Sequence, residues 1–346
     1  MYAAVFPITK IRKAEQFLIS KNILLKSKKN IFLGLKVFFP IRDEGVREIK
    51  KIRGQIVRVP QNFFPERVLT RNLHELSKIT NLPIPKSVTI IGDLVLINEL
   101  PKNAEECKEE IGKILRENFS ARAVFVKRKE ITGILRIAQW ERIAGFGLPI
   151  TVHKESNFYY AVDLSGVFFN PRLSSERARI ITQVKTNEVV IDMFAGVGPF
   201  SIPIAKKCAR VYAIDINYNA IALMRLNIEI NKVSHDKIIP IWGDAYKEVP
   251  RIGRVADRII MNYPEGSLNF LESAIMGLKK SGGRLHVYLA IRALNKNKAI
   301  EKGEELIISK LKESNVAFKI IAKKVLREVA PRKYHIVFDV DINGLN

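Results

Sequence analysis

The stretch Val189-Val190-Ile191-Asp192-Met193-Phe194-Ala195-Gly196-Val197-Gly198-Pro199-Phe200-Ser201 decides the fold of this chain. Val189, Val190 and Ile191 are the β-branched residues of a buried strand, and Asp192 stands where that strand ends. Gly196 and Gly198 let the backbone bend sharply and approach a ligand closely. Pro199 suits the first turn of a following helix, where a missing N–H removes no hydrogen bond. Nineteen residues beyond Gly196, a second apolar run, Val211-Tyr212-Ala213-Ile214, ends in Asp215. A carboxylate there is placed to hold a ribose diol. Strand, glycine turn and helix, with an acid at each strand end, predict a mostly parallel sheet carrying a nucleoside-type cofactor at its carboxyl edge.

The loop also separates two donors. A dinucleotide fingerprint has Gly or Ala at its third position, where this chain has Ser201. Asp192 would repel a pyrophosphate and attract the cationic amino acid end of S-adenosylmethionine. S-adenosylmethionine is therefore the expected cofactor, with a nicotinamide dinucleotide as the alternative.

The 346 residues allow a full core and more than one domain. No apolar run is long enough to span a bilayer, and Met1-Tyr2-Ala3-Ala4-Val5-Phe6-Pro7 leads into charged sequence without a cleavage site. A cytoplasmic protein is expected. Cys107 and Cys208 lie apart without metal-ligand spacing, which predicts ordinary reduced thiols and no metal. The net charge is +23, and residues 1–65 hold nine lysines and five arginines against four acidic residues. Lys26, Lys28 and Lys29 fall in one short loop of that segment. A polyanion such as RNA is the natural partner; the competing reading is a charged surface that is merely solvated.

Breaks and periodicity divide the chain. Residues 1–65 read as a small basic α/β domain, with a helical pattern over 10–22 and strands at 37–41 and 55–59. Residues 66–85 read as a linker with a helix near 70–79, ending in Asn81-Leu82-Pro83-Ile84-Pro85. Residues 86–157 read as a middle α+β domain, with two strands around Gly92-Asp93, a helix over 103–117 and strands at 123–126 and 133–137. Residues 158–346 alternate strands and helices, as a Rossmann-like domain should, with a helix over 303–315 and a closing strand at 334–340.

Two further strand ends carry polar residues. Ile238-Ile239-Pro240-Ile241 leads to Trp242-Gly243-Asp244, whose carboxylate suits an adenine amino group or is a solvated loop residue. Arg258-Ile259-Ile260-Met261 leads to Asn262-Tyr263-Pro264-Glu265. In an open parallel sheet Asp192, Asp215, Asp244 and Asn262 then converge on one crevice. Asn262-Tyr263-Pro264-Glu265 departs from the Asn-Pro-Pro-Tyr motif of exocyclic amino methylation, because Glu265 cannot stack on a base. Neither cysteine sits at a strand end, which argues against covalent C5 chemistry. Upstream, Val167-Phe168-Phe169-Asn170-Pro171-Arg172-Leu173-Ser174-Ser175-Glu176-Arg177 reads as a turn with Ser174 capping a helix. Arg172 and Glu176, four residues apart, can face one site.

In these motifs the chain resembles the archaeal and eukaryotic tRNA guanine-37 N1-methyltransferases, and the resemblance covers essentially its whole length. The resemblance is strongest at Thr151-Val152-His153-Lys154-Glu155, Asn170–Arg177, Asp192–Pro203 and Asn262-Tyr263-Pro264. The family usually has Ser-Pro-Arg where this chain has Asn170-Pro171-Arg172, and Asn-Leu-Pro where it has Asn262-Tyr263-Pro264. The resemblance implies a Rossmann-like class I methyltransferase domain, mostly parallel with an antiparallel last strand, that binds S-adenosylmethionine and acts on tRNA. Nothing in the sequence suggests an obligate dimer, and a monomer is the expected state. It implies that Glu176 is the general base for N1 of guanine and that Arg136, with Arg142 close by, steadies the charge on O6. N1 carries a proton at neutral pH, so a base and a cation answer the chemistry. It further implies Asn262, Pro264 and Phe168 around the target base, Phe194 beside the adenosine, and Arg172, Arg177 and the basic N-terminal domain on the tRNA. Three alternatives remain. A dual-function member would also methylate C7 of a tricyclic guanine, and a related enzyme of wyosine synthesis would transfer an aminocarboxypropyl group. The third is a tRNA-binding protein without activity.

Overall fold

The computed structural model describes residues 1–344 except 53, 62, 65–71 and 133–136. The chain forms two compact units, Met1–Pro171 with Glu229–Asn231, and Arg172–Ile228 with Lys232–Asn346.

The first unit opens with strands β1 (Tyr2–Pro7), β2 (Ile31–Leu33), β3 (Lys36–Ile41) and β4 (Gln55–Arg58), in the order β2-β3-β1-β4. Helix α1 (Ile11–Ser20) buries Ile11, Ala14 and Leu18, one stripe at helical spacing, and α2 (Gly45–Lys51) follows β3. After α3 (Leu73–Thr80), capped by Asn72, a second sheet runs in the order β5 (Thr89–Ile91), β6 (Leu94–Ile97), β7 (Ala123–Thr132), β8 (Ile137–Gly145). Helix α4 (Lys108–Asn118) turns Ile111 and Leu115 into its core. It starts five residues later than the pattern at 103 suggests, because Lys102–Ala104 form a separate 3-10 turn. The strand expected at 133–137 lies outside the described residues except for Ile137. A hairpin of β9 (Ile150–Glu155) and β10 (Phe158–Asp163) completes the unit. A boundary at 157/158 would cut this hairpin at its turn, and the compact units divide after Pro171 instead. Asn231 belongs with the hairpin because its amide bonds both the N–H and the carbonyl of Tyr159, at 2.9 and 2.6 Å.

One buried ion pair ties this unit together. Arg122 and Asp93 have side chains 1% and 3% exposed and meet at 2.9 Å. Asp93 also accepts from the Phe32 N–H and the Thr151 hydroxyl, while Arg122 donates to the carbonyls of Phe146, Leu148 and Ile150. The pair thus joins β2, the second sheet and the β9–β10 hairpin.

The second unit is built on a seven-stranded sheet in the order β13-β12-β11-β14-β15-β17-β16. Its strands are β11 (Val189–Asp192), β12 (Arg210–Asp215), β13 (Ile238–Trp242), β14 (Arg258–Met261), β15 (Gly282–Arg292), β16 (Ala317–Ala330) and β17 (Lys333–Asn343). The first five in chain order pair in parallel, and β17 runs antiparallel between β15 and β16. This is the Rossmann-like arrangement with one reversed strand at the end of the chain. Connecting helices are α5 (Ser174–Gln183), α6 (Ser201–Ala205), α7 (Tyr218–Asn231), α8 (Ala245–Ile252), α9 (Leu271–Gly277) and α10 (Lys296–Glu313). Helix α10 begins well before 303, because Asn295 caps it by accepting from the Lys298 N–H.

Alternation divides the sheet's two faces. Ile191, Ile259, Leu285, Val287, Phe338 and Val340 face an apolar layer shared with α8, α9 and α10. His286, Tyr288 and Asp339 fall at the opposite parity and point the other way, toward α5. Strand β16 is the sheet's edge. None of its residues is buried and half are exposed; it carries Lys319, Lys323, Lys324 and Arg327 and breaks register with β17 three times.

The ion pair in the first unit is directly testable. Asp93→Ala should lower stability by about 3–5 kcal/mol, because the buried Arg122 guanidinium loses its counter-charge. Asp93→Ala/Arg122→Met should recover most of that loss in chemical denaturation.

Candidate active site

The site grows from the carboxyl ends of β11, β12, β13 and β14. Asp192 ends β11 and is fully buried. Its Oδ2 accepts from the Ser201 hydroxyl at 2.6 Å, and its Oδ1 is buried without a hydrogen-bond partner. Burial pushes the carboxyl up to about 7, and the neighbouring Asp215 adds to the rise, while hydrogen bonds from Ser201 and the Phe194 backbone oppose it. A buried carboxylate oxygen without a donor is costly in a folded chain, and a cation brought to Oδ1 relieves that cost.

Gly196 and Gly198 both take positive φ, 55° and 87°. A Cβ at Gly198 would lie 2.8 Å from Ile202, so both backbone and packing require glycine there. The Gly196 N–H donates to Asp215 at 2.7 Å, and the Asn217 N–H donates to the other carboxylate oxygen at 2.8 Å. Burial raises the Asp215 pKa, and these two N–H groups hold it back. Pro199 stands before the helix rather than in it: α6 begins at Ser201, although the Ile202 N–H already reaches the Gly198 carbonyl at 2.9 Å.

Asp244 caps α8, accepting from the Tyr246 N–H at 3.0 Å through one oxygen. Asn262 and Pro264 follow β14 directly, Asn262 half-buried and Pro264 buried. Phe194 packs on Tyr263 at 5.2 Å and on Phe270 at 5.0 Å, joining the glycine loop to the Asn262-Tyr263-Pro264 turn. Four successive strand ends therefore bring Asp192, Asp215, Asp244 and Asn262 along one edge, as their spacing predicts.

Glu176 lies in the first turn of α5 and is buried. Its described partners are Arg179, at 2.7 and 2.9 Å, and the Tyr288 hydroxyl at 2.9 Å. Arg172, in the preceding 3-10 turn, is exposed, whereas Arg177 is buried. Ser174 is not the cap: the helix includes it, Leu173 occupies the cap position, and no side chain caps the end.

The other expected positions fall in the first unit. Phe168 is partly exposed there. Arg136 lies outside the described residues, and Arg142 donates to the Gly147 carbonyl. Lys26 is exposed. Lys28 and Lys29 are not presented in the same way, because their ammonium groups donate to the carbonyls of Phe64 and Phe119. Cys107 and Cys208 are free thiols. Among the described residues no acidic, histidine or cysteine cluster could hold a metal, and no helix is long and apolar enough to cross a membrane.

Residues 151–317 match the TRM5/TYW2 methyltransferase domain, and residues 71–147 match the TYW2 N-terminal domain. The chain is 33% identical to the tRNA (guanine(37)-N(1))-methyltransferase Trm5b of Methanocaldococcus jannaschii, over 96% of each chain. It belongs to the TRM5/TYW2 methyltransferase family. It is also 33% identical to the tRNA 4-demethylwyosine(37)-methyltransferase Taw21 of Saccharolobus solfataricus, over 75% of this chain and 94% of that one. Two solved structures of the family share the whole fold. A complex of aTrm5 with tRNALeu superimposes with a TM-score of 0.68 at 31% identity, covering 99% of this chain and all of the other. Methanocaldococcus jannaschii Trm5 with adenosine gives a TM-score of 0.66 at 29% identity, covering all of both chains.

Sequence reasoning missed three groups in this TRM5/TYW2 domain. Ser201 looks like a mere departure from a dinucleotide fingerprint, yet it holds the buried Asp192. Tyr288 and Arg179 meet Glu176, and only the later strand β15 and the turn of α5 reveal them. The Asp192 shift carries a stability signature. Its folded pKa lies above the unfolded value near 3.9, so the folded protein binds the proton more tightly. The stability contribution is full below about 4 and is lost as pH rises toward about 7. The stability of the unliganded protein relative to Asp192→Asn should therefore fall by about 1.4 kcal/mol per pH unit between roughly 5 and 7, as urea melts at several pH values will read.

Proposed function

We propose that this chain transfers the methyl group of S-adenosylmethionine to N1 of guanosine 37 in the anticodon loop of tRNA. The observation that carries this reading is Asp192, a buried carboxylate with one unpaired oxygen, in a chain whose relative along its whole length is named for that methylation. The donor supplies an activated methyl group on a sulfonium centre. The unpaired Oδ1 of Asp192 suits the ammonium of the donor's amino acid end, and the cation would draw Asp192 into its ionised form. Asp215 keeps a lone pair on each oxygen for a ribose diol, and Asp244 keeps the oxygen not used in capping for the adenine amino group. Phe194 supplies an aromatic wall.

The acceptor side rests on Glu176, Arg136, Asn262, Pro264 and Phe168. The guanine must leave its stack to reach the donor. Glu176 takes the N1 proton as the N1 lone pair bonds the methyl carbon, and Arg136 offsets the charge on O6. Arg179 engages one lone pair of the Glu176 Oε2, which leaves a second for the proton. Asn262 and Pro264 border the base on the β14 side. Lys26, Arg172 and the basic N-terminal sheet would meet tRNA phosphates, a shape-reading contact that needs little base readout.

The similarity to Taw21 favours one second reading, an added methylation of C7 on a tricyclic guanine at the same position. Tyr263, packed on Phe194, is the residue beside which such a base would sit. A tRNA bearing 4-demethylwyosine at position 37 separates the two activities.

A tRNA transcript with G37, incubated with methyl-labelled donor, should yield label in 1-methylguanosine. Label transferred only from the donor's carboxypropyl carbons would overturn the reading in favour of aminocarboxypropyl transfer. Glu176→Gln should bind donor as the wild type does and lower the single-turnover rate about 100-fold or more. Weakened donor binding with an unchanged chemical step would assign Glu176 another role.

A further inference from the structure

Glu176 is the end of a chain of buried and half-buried ionisable groups on one face of the second unit's sheet. Arg179 grips Glu176 through Nε and Nη2 at 2.9 and 2.7 Å, and Asp339 through Nη1 and Nη2 at 2.5 and 3.1 Å. Asp339 meets His286 Nδ1 at 2.6 Å, directly across the β15–β17 pairing. His286 Nε2 lies 2.7 Å from Arg258, which forms a two-pronged ion pair with Glu188 at 2.7 and 3.0 Å. A guanidinium can only donate. His286 Nε2 therefore accepts, its proton sits on Nδ1 and points at Asp339, and the ring is neutral. Burial pushes the His286 pKa down in the same sense.

The charges of this chain do not balance. Glu188, Asp339 and Glu176 are three carboxylates, and Arg258 and Arg179 are two guanidiniums. Glu188 has Arg258 to itself, so Asp339 and Glu176 share Arg179. Among these five groups the carboxylates outnumber the guanidiniums by one; the buried Arg177 follows Glu176 in α5, and Arg284, ion-paired with Asp341, also acts on Asp339 and Glu188.

We propose that Arg179, clamped by Asp339, is the positioning residue that makes Glu176 a base. The shared guanidinium fixes the carboxylate's orientation without fully neutralising it, so that the proton released from the acceptor nitrogen is drawn to Glu176. The proton leaves N1 for Glu176 while the N1 lone pair forms the new N–CH3 bond and the S–CH3 bond breaks, leaving a neutral thioether. Tyr288, which donates to the same carboxylate, holds it from the sheet side. The inference rests on the reading of Glu176 as the proton acceptor.

Removing the charge of Asp339 and removing that of Arg179 give opposite signatures. Asp339→Asn leaves Arg179 to Glu176 alone, so Glu176 becomes a weaker base. Single-turnover methylation, with donor and tRNA saturating, should slow at least tenfold, and the acid limb of its pH profile should move down. Arg179→Met removes the cation from between two carboxylates, so that limb should move up, by about one pH unit or more. Arg179→Lys, which keeps the charge and loses the fork, should retain the limb near its original position with a partial loss of rate, and it serves if the Met variant does not fold. An acid limb that stays in place in Asp339→Asn, or in an Arg179→Met variant that folds, would overturn the proposal, as would an Asp339→Asn rate that does not fall; where Arg179→Met does not fold, a limb displaced in Arg179→Lys would overturn it. An unchanged rate in Glu176→Gln would instead remove the proton-acceptor reading itself.

Discussion

A carboxylate buried at the end of β11 is the constraint around which the methyltransferase unit is arranged. Asp192 has no exposed surface and one oxygen without a donor, a state that a folded chain keeps only where something else stabilises it. Ser201 is held to its other oxygen, which anchors the start of α6. The glycine turn between them bends through two positive-φ residues and sends the Gly196 N–H to Asp215. The ends of β11 and β12 are thus fixed to each other by a carboxylate on each strand, and the aromatic pair Phe194–Tyr263 fixes β14 to the same turn. Removing charge at Asp192 would ease the burial and leave the loop without the feature that distinguishes it from any other strand–turn–helix.

Much of this was legible because it is local. Asp192, Asp215, Asp244 and Asn262 each follow an apolar run, and a parallel sheet turns that one-dimensional pattern into a shared edge. Strand β17 was legible as an apolar run closing the chain, while its reversed direction came only from the family resemblance. The groups around Glu176 were not. Arg179 meets Asp339 across 160 residues, and His286 meets Asp339 across 53. Those meetings depend on strand order and on which parity of β15 faces α5, and neither is visible in periodicity. Half of β15 is the apolar layer, and the other half is a row of polar groups that sequence alone reads as an ordinary amphipathic strand.

Charge was the least literal signal. A surplus of basic residues in the first 65 positions speaks for a polyanion, yet Lys28 and Lys29 each give a hydrogen bond to a main-chain carbonyl of their own unit. The ammonium groups keep their charge, so the lysine count measures charge but not which side chains extend into solvent. Helix ends were misread in a similar way. Ser174 has the right side chain to cap α5, but the chain enters through a 3-10 turn, and Leu173 takes the position instead.

Strand β16 has a consequence of a different kind. An exposed fourteen-residue edge would ordinarily be a template for another chain's backbone. Here its ladder is interrupted three times, and Lys319, Lys323, Lys324 and Arg327 punctuate it. A second copy approaching this edge meets like charge and a broken hydrogen-bond spacing, and both disfavour strand pairing there.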